Sequence, residues 1–433
     1  MKKLLSILLF LPLFAKGQII TTVGGGGSSL SDGVPATSAN IHSTLGGAFD
    51  SQGNYYFGEG AGFSIVRKID TAGNIFTVAG STVGFSGDGG QATIAQLNGV
   101  EGISIDINNN IYIADLYNAR VRKVTSSTGI ITTYAGNGIR TSVGNGIPAT
   151  DASIVPESIT TDAYGNIYVV DSSSIVRKID TFGIITTVAG NGTIGYTGDG
   201  GQATSASISL AWGICCDVIG NVYIGCVGRI RKLDKITGII NTIAGNGNGL
   251  YIGDGMDASS AQFDPTYITI DASGNLYITN AGDRVFKIDT TNIFRTFAGN
   301  GSQGFSGDGG PATAALLYNP AGIVTDLCGN LYIADAANHR IRKVTYPHCE
   351  YEQVANNTIT DKSILFYPNP TTTSLTISAK NKINAVSITN LLGQTISTDE
   401  YNTEQVQLNV ADLPKGIYLL KINGTEIRKF LKE

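Results

Sequence analysis

The chain is poor in the side chains that metal and nucleophile chemistry draw on. Its 433 residues hold 3 His, 5 Cys, 2 Met and 1 Trp. His42, His339 and His348 stand in different places and no Cys-x-x-Cys pair occurs, so a zinc site would need distant convergence and no metal is expected. Basic residues are also short, 29 Lys plus Arg against 34 Asp plus Glu for a net charge of −5, which disfavours binding to a phosphate backbone. The Gly-rich loops lead into strand-like runs rather than a helix, so no dinucleotide or other cofactor is expected. Beyond the first fifteen residues no apolar run is long enough to span a bilayer.

What the chain does have is a period. Gly-Asn-x-Tyr or a close variant recurs with its Asn at 54, 110, 166, 221, 275 and 330. A spacing of about fifty-five residues is too short for a domain and suits one four-stranded blade of a β-propeller, whose blades bury their faces only against neighbours. The expected fold is all-β: a six-bladed propeller with a small β-sandwich after it. The fifth unit shows the grammar, with residues 267–271 (YITID), 275–279 (NLYIT), 284–289 (RVFKID) and 293–299 (IFRTFAG) as strands A to D. Asp50, Asp106, Asp162, Asp217, Asp271 and Asp326 each precede the repeated Asn by four residues, placed to bond amides of the A-B turn. The residue before that Asn is Gly in five units and Asn109 in the second, the pattern of a left-handed turn position.

The repeated Tyr of strand B reads as core. The Arg-Lys pairs of strand C, Arg67-Lys68 through Arg342-Lys343, read as edge cover laid down by aliphatic stems. In the loops from D to the next A, Gly-Asp-Gly-Gly at residues 87–90, 198–201 and 307–310 reads as a turn that seats the loop on the next blade. It lacks the Asp-x-Asp-x-Asp-Gly series of a calcium loop. The sixth unit ends without a D strand, and residues 19–25 (IITTVGG) match residues 184–190 (IITTVAG) closely. The leading strand is therefore expected to complete the sixth blade and remove its exposed edge.

The ends carry other signals. Lys2 and Lys3 followed by apolar residues 4–14 form a signal-peptide pattern over residues 1–17. The propeller is read over residues 18–346, a polar linker over 347–362 and a second β domain over 363–433 with strand runs at 374–378, 385–390, 405–409 and 416–422. Cys328, in the A-B turn of the sixth unit, and Cys349, just past its strand C, are expected to form a disulfide closing about twenty residues, contributing roughly 3 kcal/mol. Cys215, Cys216 and Cys226 read as small buried residues.

Residues 331–344, LYIADAANHRIRKV, resemble the NHL-repeat family, with Asn338, His339 and Arg340 where its naming motif stands. The resemblance implies a scaffold used mostly for recognition, with enzymes a minority. The tail resembles the type A sorting domain of the type IX secretion system. Its marks are Tyr367-Pro368-Asn369-Pro370, the stretch 388–393 ending at Gly393, the stretch 413–421 with Gly416 and Tyr418, and a basic end. That resemblance implies the type IX machinery as partner and a secreted or cell-surface protein.

Residues that serve the fold should recur in every unit, so function is sought where the repeat breaks. The slot just before strand A reads Leu45, Glu101, Glu157, Trp212, Thr266 and Ala321. A second, at the end of strand B, reads Glu59, Asp115, Asp171, Cys226, Asn280 and Asp335. Both are expected at the channel mouth, where Glu101, Glu157, Trp212, Asp115 and Asp171 would offer an aromatic plate among acids to a sugar or a cation. The leading expectation is a non-catalytic propeller binding an extracellular glycan, peptide or protein. The alternatives are a sugar-cleaving enzyme with Glu101 and Glu157 as acid and base, a structural adhesin, or a Trp212 that merely fills a gap between blades beside solvated acids.

Overall fold

A computed structural model describes residues 18–60, 62–172, 174–280, 282–326, 328–345, 364–367, 371–390, 395–414, 416–423 and 426–432. The expected signal peptide and linker lie outside them. The chain divides into two compact units, Met1–Cys349 and Glu350–Glu433.

Within the described part of the first unit lie six antiparallel sheets of four or five strands, five of them meandering A-B-C-D and the sixth A-B-C with the leading strand beside C. The fifth is representative, with A at Pro265–Ile270, B at Leu276–Asn280, C at Arg284–Ile288 and D at Phe294–Ala298. The A-B turn forms because one carboxylate organises it. Asp50 Oδ1 accepts the backbone N–H groups of Gln52 and Asn54, while Oδ2 accepts Asn54 Nδ2 and the Tyr56 hydroxyl. The same set recurs around Asp106, Asp162, Asp217 and Asp271. Asn109 takes φ 62° where Gly53 takes 85°, so the one non-glycine at this position does adopt the left-handed conformation.

Apolar side chains fill the spaces between sheets. One cluster joins Val66 and Ala79 of the first sheet to Ile103 and Ile113 of the second, and another joins Tyr55, Phe57 and Ile69 of the first to Ala334 and Ile341 of the sixth. The leading strand, Ile19–Gly25, pairs antiparallel with the sixth C strand, Arg340–Thr345, from Ile19 opposite Thr345 to Gly25 opposite Arg340. It carries the bulge found in the other C-D pairs, here between Thr22 and Gly24. It also holds the last D-A loop: Ile20 N–H donates to the Gly310 carbonyl at 3.1 Å, and Ala312 N–H donates to that of Gln18 at 2.8 Å.

The strand C arginines do not cover edges. Arg122, Arg231 and Arg342 are wholly buried, with Arg67 and Arg177 nearly so. Successive strand residues face opposite ways, so the Arg enters the packed face and its Lys neighbour lies over an aromatic ring, as Lys123 does 5.6 Å from the Tyr112 centroid. Arg122 bonds Asp115 at 3.4 Å on its own sheet and Asp88 of the incoming Gly-Asp-Gly-Gly loop at 2.7 Å. Arg342 repeats this with Asp335 and Asp308, at 3.3 and 2.9 Å. Asp308 in turn accepts the Thr22 hydroxyl of the leading strand at 2.7 Å, as Asp88 accepts Thr133 of a true D strand.

In the second unit, residues 374–378 and 385–390 belong to one long strand, Ser374–Asn390, interrupted by bulges where it pairs with Thr395–Asn409. Ile364–Tyr367 pairs with its first half, and Gly416–Ile422 with its second, followed by Glu426–Lys432. Leu375, Ile377, Val386, Leu408, Leu420 and Phe430 form its core. Tyr418 is buried against Phe430 and donates to the Pro414 carbonyl, Gly416 opens a strand, and Tyr367 is half exposed. Pro368, Asn369, Pro370 and Gly393 lie outside the described residues. Cys328 is disulfide-bonded while Cys215, Cys216 and Cys226 are free; Cys349, its expected partner, lies outside the described residues.

Deleting residues 19–24 strips a strand from the sixth sheet and the anchor from its loop. We expect a loss of several kcal/mol, roughly 10 °C or more in melting temperature by calorimetry. An unchanged melting curve would show the strand to be dispensable.

Candidate functional site

The A strands come together at one place. Gly46, Gly102, Ser158, Ile214, Tyr267 and Ile323, drawn from all six sheets, line a central cavity of ≈ 260 Å³ together with Ser104, Thr160, Thr269 and Thr325. A second cavity, of ≈ 270 Å³, is lined by Glu101, Glu157, Trp212, Leu116, Leu210 and Tyr267. Three non-recurring residues of the slot before strand A thus share one pocket. Leu45, Thr266 and Ala321, from the same slot, are not among its lining residues.

Each of these side chains is placed by its strand start. Glu101 lies in Val100–Ile105 and Glu157 in Pro156–Thr161, both at a bulge against strand B, so the register shift aims them off the regular pleat. Trp212 stands one residue before Gly213–Cys216, held by its backbone N–H on the Gly225 carbonyl at 3.0 Å, and its side chain is 53% exposed. Burial and then the Glu157 charge raise the Glu101 carboxyl above its ordinary range. The lining holds two carboxylates and no cationic side chain.

The strand B acids are a correction. Asp115 and Asp171 are wholly buried, as are Asp335 and, nearly, Glu59, and none of them lines the mouth pocket. Each ends strand B facing the inter-sheet space, where it meets the strand C guanidinium: Arg122 for Asp115, Arg177 for Asp171. Asp115 also accepts the Asn98 backbone N–H at 2.7 Å, and Asp171 that of Val155 at 2.7 Å. Burial outweighs these partners and pushes the Asp115 carboxyl up to about 6. These acids hold the loop that enters their own sheet, just ahead of Glu101 and Glu157.

The imidazoles are a second correction. His42 and His339 come within 6.2 Å of each other, centroid to centroid, with His42 stacked on Phe63 at 3.7 Å. Among the described residues, however, no group of three His, Cys, Asp or Glu is arranged to hold a metal. His348 lies outside them. Burial pushes the Cys226 thiol up to about 12 and also raises Cys215 and Cys216; Cys215 and Cys226 are buried and Cys216 partly so, which fits packing residues rather than reactive ones.

Three lining residues were not anticipated. Leu116 opens a short 3-10 turn, Leu116–Asn118, that recurs as Ala336–Asn338 with Ala in its place, while Leu210 comes from a loop and sits at φ 39°, a conformation that a bulky side chain rarely takes. Tyr267 carried a signal. Its slot, the first after the variable one, reads Gly46, Gly102, Ser158, Gly213 and Gly322 in the other units.

Residues 365–433 match the family described as the Secretion system C-terminal sorting domain. The chain is similar in structure to an auxiliary nutrient binding protein from Bacteroides thetaiotaomicron VPI-5482, at 18% identity and TM-score 0.55 over 77% of each chain. A protein of the same description from Bacteroides ovatus ATCC 8483 is similar at 16% identity and TM-score 0.52, over 76% of this chain and 77% of that one. In sequence the chain is similar to Teneurin-1 of Gallus gallus, 26% identical over 279 residues, covering 55% of this chain. It spans only 10% of that curated relative's length. The chain has an NHL-like propeller fold and ends in a type IX secretion sorting domain, which marks it for export to the cell surface or beyond. Among the described residues no helix is long and apolar enough to cross a membrane.

The two kinds of acid should separate by mutation. Asp115→Ala leaves Arg122 buried without its same-sheet partner and is expected to cost about 3–5 kcal/mol in urea unfolding. Glu101→Gln removes a carboxylate held unfavourably beside another and is expected to leave stability at pH 7 unchanged or slightly raised. Equal losses from both would put Glu101 in the framework.

Proposed function

We propose that the chain is an exported, six-bladed propeller that binds an extracellular ligand, without catalysis, in the pocket of Glu101, Glu157 and Trp212. In this reading residues 18–346 form the ring, sewn shut by the leading strand, with a signal peptide at 1–17, a linker at 347–362 and the sorting domain at 363–433. The Cys328–Cys349 bridge belongs to the same reading. The continuity of apolar clusters from the sixth sheet back to the first supports a closed ring. So does a cavity bounded by all six A strands.

One observation carries the binding role. The side chains of one slot that break the repeat share a cavity, whereas those of the other breaking slot are consumed by the framework. An aromatic plate, two aliphatic walls and a few convergent polar groups are the usual make-up of a small-molecule site. The likeness to nutrient binding proteins is one of fold and agrees with this use.

A second reading keeps Glu101 and Glu157 as acid and base for sugar cleavage, favoured by the raised Glu101 carboxyl. Activity on aryl glycosides that Glu101→Gln abolishes would establish it.

For the binding role, the purified chain is screened by thermal shift against polysaccharides, oligosaccharides, peptides and small organic ions. We expect a ligand-dependent rise in melting temperature that Trp212→Ala reduces to less than a third, without change in the ligand-free melt. A rise that Trp212→Ala leaves intact would place binding elsewhere.

A further inference from the structure

Tyr267 changes what the mouth pocket is. In five of the six units its slot holds Gly or Ser, and the backbone of a neighbouring A strand comes close. A Cβ on Gly213 would lie 2.9 Å from Ile268 N, and one on Gly322 would lie 2.3 Å from the Gly46 carbonyl oxygen. The fifth unit instead places a phenol there. Tyr267 lines both the central cavity and the mouth pocket, and its hydroxyl lies 3.5 Å from the Glu101 carbonyl oxygen, reaching from the fifth unit to the second. The ring therefore stands as a floor between the two spaces, and the pocket above it has an aromatic base as well as the Trp212 wall.

Resting on the reading of this pocket as a binding site, we infer that its ligand is an organic cation: an ammonium group on a compact apolar body, received between Trp212, Tyr267 and the Glu101 and Glu157 carboxylates. The walls are Leu116, Leu210 and two aromatic rings, which favour an apolar body over a heavily hydroxylated one. The only charged groups in the lining are the two carboxylates, which favour a cation; the Arg140 guanidinium, which donates to the Leu116 carbonyl at 2.9 Å, is not among the lining residues. Indole and phenol faces add attraction for a cation that they do not give a neutral hydroxyl. A neutral sugar needs donors as well as acceptors from its site. Here the side-chain oxygens of the lining are those of two carboxyls and the Tyr267 hydroxyl, and that hydroxyl is directed at a backbone carbonyl. Coulombic repulsion between Glu101 and Glu157 supports the same conclusion, since a bound ammonium relieves it.

Trp212 is the only Trp of the chain, so its fluorescence reports on this pocket alone. The full chain is titrated with cyclohexylammonium, cyclohexanol and glucose, three rings that differ in charge and hydroxylation, and each titration is repeated by calorimetry. We expect a saturable fluorescence change with cyclohexylammonium and an affinity at least tenfold above that for cyclohexanol or glucose. It should fall at least tenfold in Glu101→Gln/Glu157→Gln, and severalfold in Tyr267→Ser, a residue the third unit tolerates in this slot. Tyr267→Phe keeps the floor and should retain binding, which guards against loss through misfolding. Equal or stronger binding of cyclohexanol or glucose would overturn the cation assignment while leaving the pocket a binding site. No saturable response to cyclohexylammonium overturns it as well. If the wider ligand screen then also gives no Trp212-dependent shift, the binding reading falls with it.

Discussion

The buried guanidinium of strand C is the interaction on which the rest of the propeller unit leans. A charge taken out of water is tolerated only if neighbouring groups replace its hydration, and here the replacement comes from two directions. Arg122 takes Asp115 from its own sheet and Asp88, with the Ser86 and Gln96 carbonyls, from the loop that arrives from the preceding sheet. Arg suits this role and Lys does not, because a planar fork with donors on two nitrogens can hold two carboxylates and two carbonyls together. The loop bends back to reach it through Gly87 and Gly89, both at positive φ. Since that loop runs straight into the next A strand, the clamp on Arg122 fixes the chain just ahead of Glu101. The recurring ion pairs are therefore supports for the residues that do not recur. Two sheets depart from this pairing. In the fourth, Cys226 replaces the acid and Arg231 keeps Asp199 with the Ser207 and Thr197 carbonyls. In the fifth, Phe286 replaces the Arg, Asn280 the acid, and Tyr251 stacks on Phe286 at 4.9 Å. Both charges leave together and an aromatic pair fills the space.

Much of this was legible as period. The Asp-to-Asn spacing identified the turns because one carboxylate can cap only a turn of that length, and Asn109 exposed the left-handed position by standing in for Gly. The leading strand was legible as a D strand because it kept Thr22 at the position that meets the loop Asp. The strand C arginines were misread because an Arg-Lys pair looks like a solvated edge in composition. Alternation alone puts one of the two inside, and the joint loss of acid and Arg in the fifth unit was the available clue to pairing. Asp115 and Asp171 were drawn to the mouth by the same oversight. Trp212, Glu101 and Glu157 were legible because they break the repeat in a slot that the turns and ion pairs of the sheet do not use. Tyr267 breaks the next slot in the same way, standing where the other units have Gly or Ser. Leu116 replaces Ala336 of the matching turn in the sixth unit, and Leu210 had no such mark, since its place depends on a loop conformation with no period behind it. In the tail, separate strand runs were legible, but the bulges that join 374–378 to 385–390 depend on pairing partners and not on composition.

The chain separates its tasks by position. The sorting domain supplies an address and has its own core around Leu375, Leu408 and Phe430. The propeller unit supplies a scaffold in which similar sheets are made alike at their turns and clamps. The A-strand starts, freed from those duties, are where Leu, Glu, Trp, Thr and Ala are interchanged without harm to the sheet.

The leading strand also sets an order of events. Ile19 pairs with Thr345 and bridges Pro311, both nearly the whole length of the unit away. A growing chain therefore holds its first strand unmatched until the last repeat has emerged, and closing so long a loop is among the slowest steps available to it.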